Sequence, residues 1–182
     1  MYQINEFSSI KASYGRTVQY AQLATNATAG IPFDMWFPTS PNIKPQKCDQ
    51  FSIGYFRNFL NDEIETSVEL FYKNIHNVID FADNATLIGN LYIDGEVRAG
   101  KGYAYGAELL LRKNFGDFSG WISYTYSKSM RKVPGINYDR EYVSPYDKPH
   151  NISIVLNYAF NKRFDVSASW IYNTGQPVTY PC

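Results

Sequence analysis

The amino-acid sequence predicts an all-β chain: an antiparallel up-and-down transmembrane β-barrel wall of about seven strands, cut from a larger barrel. Three observations carry this expectation. Apolar and polar residues alternate with period two through most of the chain. Tight and long connections alternate along it, and aromatic residues gather near both ends of the alternating stretches. Composition agrees. Aromatics make up 17% of the 182 residues, with 16 Tyr, 12 Phe and 3 Trp, at a mean hydropathy of -0.36. Disordered chains are poor in such residues. No stretch approaches the roughly 20 consecutive apolar residues that a spanning helix needs. The 17 basic and 17 acidic residues cancel, so no net field draws in a phosphate backbone, nucleic acid is not expected as a partner, and membrane contact is expected to be apolar. The length suits one domain, or part of a larger one.

In chain order, a weak strand forms around Ile10, Ala12 and Tyr14, and a second sets Phe51, Ile53 and Tyr55 against Gln50, Ser52 and Gly54. The cleanest stretch places Ile64, Thr66, Val68, Leu70 and Tyr72 on one face and Glu63, Glu65, Ser67, Glu69, Phe71 and Lys73 on the other. Tyr103, Tyr105, Ala107, Leu109 and Leu111 then oppose Ala104, Gly106, Glu108, Leu110 and Arg112. Ile122, Tyr124 and Tyr126 oppose Ser119, Trp121, Ser123, Thr125 and Ser127. The sixth strand sets Ile152, Ile154, Leu156, Tyr158 and Phe160 against Asn151, Ser153, Val155, Asn157 and Ala159, and the last sets Phe164, Val166, Ala168, Trp170 and Tyr172 against Asp165, Ser167, Ser169, Ile171 and Asn173.

Tight turns fall at 58–62, 114–117 and 161–163, with residues that suit hairpins. Long segments at 16–47, 82–101 and 128–148 occupy every second connection. A meander puts alternate connections at the same end, so the long ones are expected together on the extracellular side of an outer membrane, with the short turns opposite. None of the apolar-face residues named for the six clear strands is charged, whereas the opposite faces hold Glu63, Glu65, Glu69, Glu108, Arg112 and Asp165. That division suits lipid outside and a wet lumen inside. Tyr72, Tyr103, Tyr105, Tyr124, Tyr126, Trp170 and Tyr172 fall near the loop ends, and Tyr55, Tyr158, Phe160 and Phe164 near the turn ends. Two such belts form where amphipathic rings sit at the membrane surfaces. The alternatives are a small complete barrel, or a soluble β-sandwich whose apolar face points inward, with a binding, adhesive or structural role. Seven is an odd number, and residues 175–182 look like a loop being entered, so a partial barrel is expected. Its unpaired edges would keep it from inserting alone.

No catalytic, cofactor or metal site is expected, and no enzyme activity. Glu63, Glu65 and Glu69 are read as a solvated lumen wall rather than an acid-base or cation site. His76 and His150 lack partners at metal-ligand spacing. Cys48 and Cys182 are read as free thiols, and the N-terminus has no secretory signal pattern. Asn26-Ala27-Thr28 and Asn84-Ala85-Thr86 fit a glycosylation acceptor pattern but are read as ordinary loop residues. Trp121 is either a sugar or aromatic-ligand platform or, the plainer reading, a packing residue. Tyr92, Arg98, Arg131, Tyr138 and Arg140 are loop residues suited to an anionic chelate or a glycan, with exposed polar surface as the plainer reading. The ligand-binding residues stay unassigned.

Several stretches resemble one family in order over nearly the whole chain. They are Trp36-Phe37-Pro38-Thr39-Ser40-Pro41-Asn42-Ile43-Lys44-Pro45-Gln46, Asp49-Gln50-Phe51-Ser52-Ile53-Gly54-Tyr55, Ser67-Val68-Glu69-Leu70-Phe71-Tyr72-Lys73 and Gly102-Tyr103-Ala104-Tyr105-Gly106-Ala107-Glu108-Leu109. They continue as Gly120-Trp121-Ile122-Ser123-Tyr124-Thr125-Tyr126-Ser127, Asp147-Lys148-Pro149-His150-Asn151-Ile152 and Tyr172-Asn173-Thr174-Gly175-Gln176-Pro177-Val178-Thr179. The chain thus resembles the TonB-dependent outer-membrane receptors, particularly the Bacteroidetes type with a carboxypeptidase-like regulatory domain. The resemblance implies a barrel of about 22 strands closed by a plug, taking up a scarce nutrient (siderophore, cobalamin, peptide or glycan) with energy from the TonB complex. The implied partners are outer-membrane lipid, the plug, the remaining strands and the ligand. The plug, the TonB-contacting segment and the final strand are expected to lie outside this sequence.

Overall fold

In the computed structural model, which describes residues 1–26, 33–82, 85 and 93–177, the chain is almost entirely antiparallel strand. The strands are β1 (Tyr2–Asn5), β2 (Ser8–Gln19), β3 (Ala21–Asn26), β4 (Phe33–Pro38), β5 (Gln46–Phe59), β6 (Ile64–Phe81), β7 (Val97–Lys113), β8 (Phe118–Lys132), β9 (Tyr142–Val143), β10 (His150–Asn161) and β11 (Phe164–Asn173). The main sheet runs β1-β2-β5-β6-β7-β8-β10-β11, every neighbour antiparallel, with β9 added beside β8 and β3-β4 as a separate hairpin.

All seven expected strands are present, and the count of seven is corrected upward by the short strands β1 and β9 in the main sheet and by the β3-β4 hairpin; β1 is the one that adds a new edge. At four residues it is too short for its alternation to stand out. The three long connections are also shorter than the alternation suggested. β2 runs to Gln19, β5 starts at Gln46 and β3 and β4 form a hairpin between them, β7 starts at Val97 and β8 runs to Lys132, whereas β6 ends at Phe81, just before the expected start of the 82–101 connection. A bulge interrupts the alternation of β6. Asn77 takes φ +57, and the register shifts between His76↔Lys101 and Val78↔Gly100. The extra residue reverses the phase of the strand, so period two breaks there although pairing continues.

Cross-links place all the short turns at one end. Asn58 N donates to Phe7 O (2.8 Å), Asn114 N to Glu63 O (2.9 Å) and Ala159 N to Asp117 O (2.7 Å). The 60–63 turn holds Leu60, Asn61 and Asp62 at φ 52, 52 and 68, and Asn58 Nδ2 ties it to Asp62 Oδ1 (2.7 Å). The register is staggered. The hydrogen-bonded row that begins at Ser8, the first residue of β2, passes Arg57, Thr66, Leu111, Ile122 and Ile154 and ends at Trp170, the seventh residue of β11. A slip of about one residue per strand is the shear that tilted barrel strands require.

The apolar face is not a core. Ile53 and Leu70 are 53% and 52% exposed, and Phe51, Val68, Leu109, Leu111 and Val166 are exposed as well. A soluble sandwich would bury these side chains under a second sheet, and none covers them among the described residues. The small core lies beyond the loop ends. Ala24, Phe37 and Ile43, from the β3-β4 hairpin and the stretch after it, pack on Ile79 and Phe81 of β6, while Val78 and Val133 are buried close by.

Candidate functional site

Strand phase divides the wall into an outer apolar face and an inner polar one, and the extended β6-β7-β8 segment carries both beyond the apolar band. Phe51, Tyr72, Tyr105, Tyr126 and Tyr172 each stand eight residues from the turn end of their strands. Eight residues span about 26 Å along a strand, or about 20 Å of height at a tilt of roughly 40°. Phe59, Phe115, Phe118, Phe160 and Phe164 form the lower belt, all exposed. The two belts bound an aliphatic band close to the roughly 25 Å of a transmembrane barrel. Ring contacts knit each belt: Tyr14 to Phe51 at 4.9 Å and Trp170 to Tyr172 at 6.2 Å above, Tyr158 to Phe160 at 4.6 Å below.

His150 belongs to the upper belt. Its Nδ1 lies 2.8 Å from the Tyr124 hydroxyl and its ring 5.4 Å from Tyr126. One row higher, outside the band, Arg16 Nη2 donates to Asp49 Oδ2 at 3.1 Å and Tyr14 OH to Asp49 Oδ1 at 2.7 Å. These donors, Arg16 foremost, hold the Asp49 carboxyl down to about 2.

On the inner face, two of the three carboxylates read as a solvated lumen wall have partners. Glu65 faces Arg112 (3.9 Å) and accepts from Asn114 Nδ2 (2.7 Å), and Glu63, which lies in the turn, pairs with Lys113. Glu69 and Glu108 stand directly opposite one another across β6 and β7, a like-charge pair visible only once register is known. Among the described residues no cluster of His, Cys, Asp or Glu is placed to hold a metal. Trp121 lies half-buried on this face, opposite Arg112 and Val155. Gly106 is opposite Phe71, whose ring crosses it so closely that a Cβ there would come within 2.7 Å of Phe71 Cζ.

Above the band the 133–149 connection is tied to β6 and β8. Asp80 Oδ2 accepts from Arg131 Nη1 (3.3 Å) and from Tyr142 OH (2.8 Å), and the Arg131 guanidinium lies 5.5 Å over the Tyr146 ring. Asp147, 3% exposed, accepts from Ser129 N at 2.7 Å and from Lys128 Nζ at 3.4 Å. Together these contacts fasten the connection to the mouth of the wall.

A family profile described as TonB dependent receptor-like, beta-barrel matches residues 1–181. The chain belongs to this family. No curated protein and no solved structure gives a significant match. For this receptor-family wall, two of the five candidate loop residues need correction. Arg131 is in β8 and neutralised by Asp80, and Arg98 is in β7 with Nη1 donating to the Gly95 and Val97 carbonyls (2.7 and 3.2 Å). Arg98 pairs with Asp80 of β6 and Arg131 with Gly102 of β7, so both stand in the wall. Tyr138 (91% exposed) and Arg140 remain free of the wall at the tip of the 133–149 connection, where Asn137, Tyr138 and Asp139 all take positive φ. Tyr92 and Cys182 lie outside the described residues, as do residues 27, 28, 84 and 86 of the two acceptor tripeptides. Cys48 is a free, half-buried thiol on β5.

Proposed function

We propose that the chain forms part of the wall and outer connections of an outer-membrane receptor that takes up a scarce nutrient, of the siderophore, cobalamin, peptide or glycan class, with energy passed through TonB. The support comes from one feature, the uncovered apolar band between two aromatic belts, taken with membership of the receptor family. In this reading the short turns face the periplasm, the long connections face outward, and Tyr138 and Arg140 meet incoming ligand. The polar inner face contacts the plug and the solvated passage. No chemical step is assigned to any residue. The Bacteroidetes type with a carboxypeptidase-like regulatory domain is the finer placement, supported by the residue stretches that resemble it.

The experiment is growth under separate limitation for iron, cobalamin, peptide and glycan, comparing the parent strain with one in which this gene is disrupted and one in which it is restored. The expected result is a defect under one limitation, mimicked by loss of TonB. Normal growth under every limitation, with the protein present in the outer-membrane fraction, would overturn the uptake reading.

A further inference from the structure

The register lines up a row of basic residues that the net charge of the chain conceals. Lys47 pairs with His76, His76 with Lys101, and Lys101 with Lys132, on four successive strands. Strand phase puts all four on the same face as the aromatic belt. Lys47, His76 and Lys101 each stand four residues beyond the belt residue of their strand, Phe51, Tyr72 and Tyr105. That places them about 13 Å further along the strand, or about 10 Å higher once tilt is included. Like charges directly opposite one another on a sheet are destabilising, yet Lys101 faces Lys132.

The neighbouring cations are treated differently. Arg16, Lys128 and Arg131 each meet a carboxylate, from Asp49, Asp147 and Asp80. Lys47, Lys101 and Lys132 are exposed and meet none among the described residues. Below the row, Ala12 leaves a groove of about 610 Å³ between Tyr14, Phe51, Ile53, Leu70 and Tyr72. The groove is apolar and opens sideways from the band. A cationic rim above an apolar slot complements an amphiphile with an anionic head.

We propose that Lys47, Lys101 and Lys132, with this groove beneath them, bind a lipid of the surrounding leaflet whose phosphate-bearing headgroup is net anionic. The headgroup phosphates lie against the lysines, whose flexible stems reach down toward the interface, and an acyl chain lies past Ala12. The inference rests on the reading that the apolar face meets lipid. It departs from an expectation of purely apolar membrane contact, because the sum of charges says nothing about where they lie.

The test titrates lipid A, dephosphorylated lipid A and phosphatidylcholine into the barrel carrying this wall, purified in neutral detergent, with binding read by native mass spectrometry. Each lysine near an anionic surface contributes on the order of 5-fold in affinity, so the triple change Lys47→Gln, Lys101→Gln and Lys132→Gln is expected to weaken lipid A binding about 100-fold. The triple change to Arg keeps binding, dephosphorylation weakens it at least about 10-fold, and inorganic phosphate does not compete. Equal binding of the dephosphorylated lipid, parental affinity of the Gln variant, or displacement by inorganic phosphate would each overturn the proposal, the last by revealing a free-anion site. If the Gln variant does not fold, the Arg variant and salt decide: loss of lipid A on adding sodium chloride supports the site, and salt-insensitive binding overturns it. A protein that takes up no lipid of any kind overturns the barrel reading as well, whereas equal affinity for phosphatidylcholine and lipid A overturns only the lysine row.

Discussion

Leu109 stands four residues from the turn end of β7, halfway to the belt residue Tyr105, and it is exposed on the outer face between Val68 and Tyr124. The Leu109→Arg substitution therefore puts a charge at the middle of the apolar band, where a barrel loses about 2 to 4 kcal/mol, or about 30- to 1,000-fold in the folding constant. Tyr105→Arg, at the interface, is expected to cost about 0 to 1 kcal/mol in charge placement, plus part of the girdle contact between Tyr105 and Tyr103 at 6.5 Å. Glu108→Arg, one residue away on the inner face, replaces half of the Glu69 and Glu108 like-charge pair and is expected to be neutral or mildly stabilising, by about 0.5 kcal/mol. The assay is reversible urea unfolding of the barrel that contains this wall in phosphatidylcholine vesicles, followed by intrinsic fluorescence. A cost for Leu109→Arg no greater than that for Glu108→Arg, or one that does not fall between Leu109 and Tyr105, would refute the assignment of the faces and the height of the band.

Asp80→Ala leaves the Arg131 guanidinium, with 13% of its side chain exposed, without its carboxylate. It is expected to cost about 3 kcal/mol and to open the 133–149 connection to protease, while Asp80→Leu with Arg131→Met costs less than either change alone; a double variant as labile as the single one would contradict this. Gly106→Val would drive a Cβ into the Tyr126 carbonyl and the Phe71 ring and is expected to cost at least about 2 kcal/mol in the same unfolding assay, with Phe71→Ala giving only partial rescue because the backbone clash stays. Leu60→Gly removes a branched side chain from φ 52 and is expected to stabilise the turn by about 1 kcal/mol; a lower unfolding midpoint would show that the exposed Leu60 side chain matters more as an interfacial anchor than as a source of strain.

The sequence determined what depends on neighbours along the chain. Alternation at Ile64 to Tyr72 and at Tyr103 to Leu111 marked the strands, and the division into a charge-free face and a charged one followed from the same period. Asn58, Asn61 and Asp62 marked a hairpin turn because those side chains suit left-handed backbone. The alternation of short and long connections placed all the turns at one end. Other features depend on which strand lies beside which, and only the tertiary structure decided them. The bulge at Asn77 interrupts the alternation of β6, and only pairing shows that Arg98, opposite Asp80, and Arg131, opposite Gly102, stand in the wall. Glu69 and Glu108 are 39 positions apart, Lys47 and Lys132 are 85 apart, and no local pattern relates them. Register brings each set into one row, because a sheet adds side chains across strands at a spacing of about 4.8 Å, whatever their separation in the chain. The exposure of the apolar face had the same origin: period two gives two unlike faces, and only the tertiary structure shows that no second sheet covers the apolar one among the described residues.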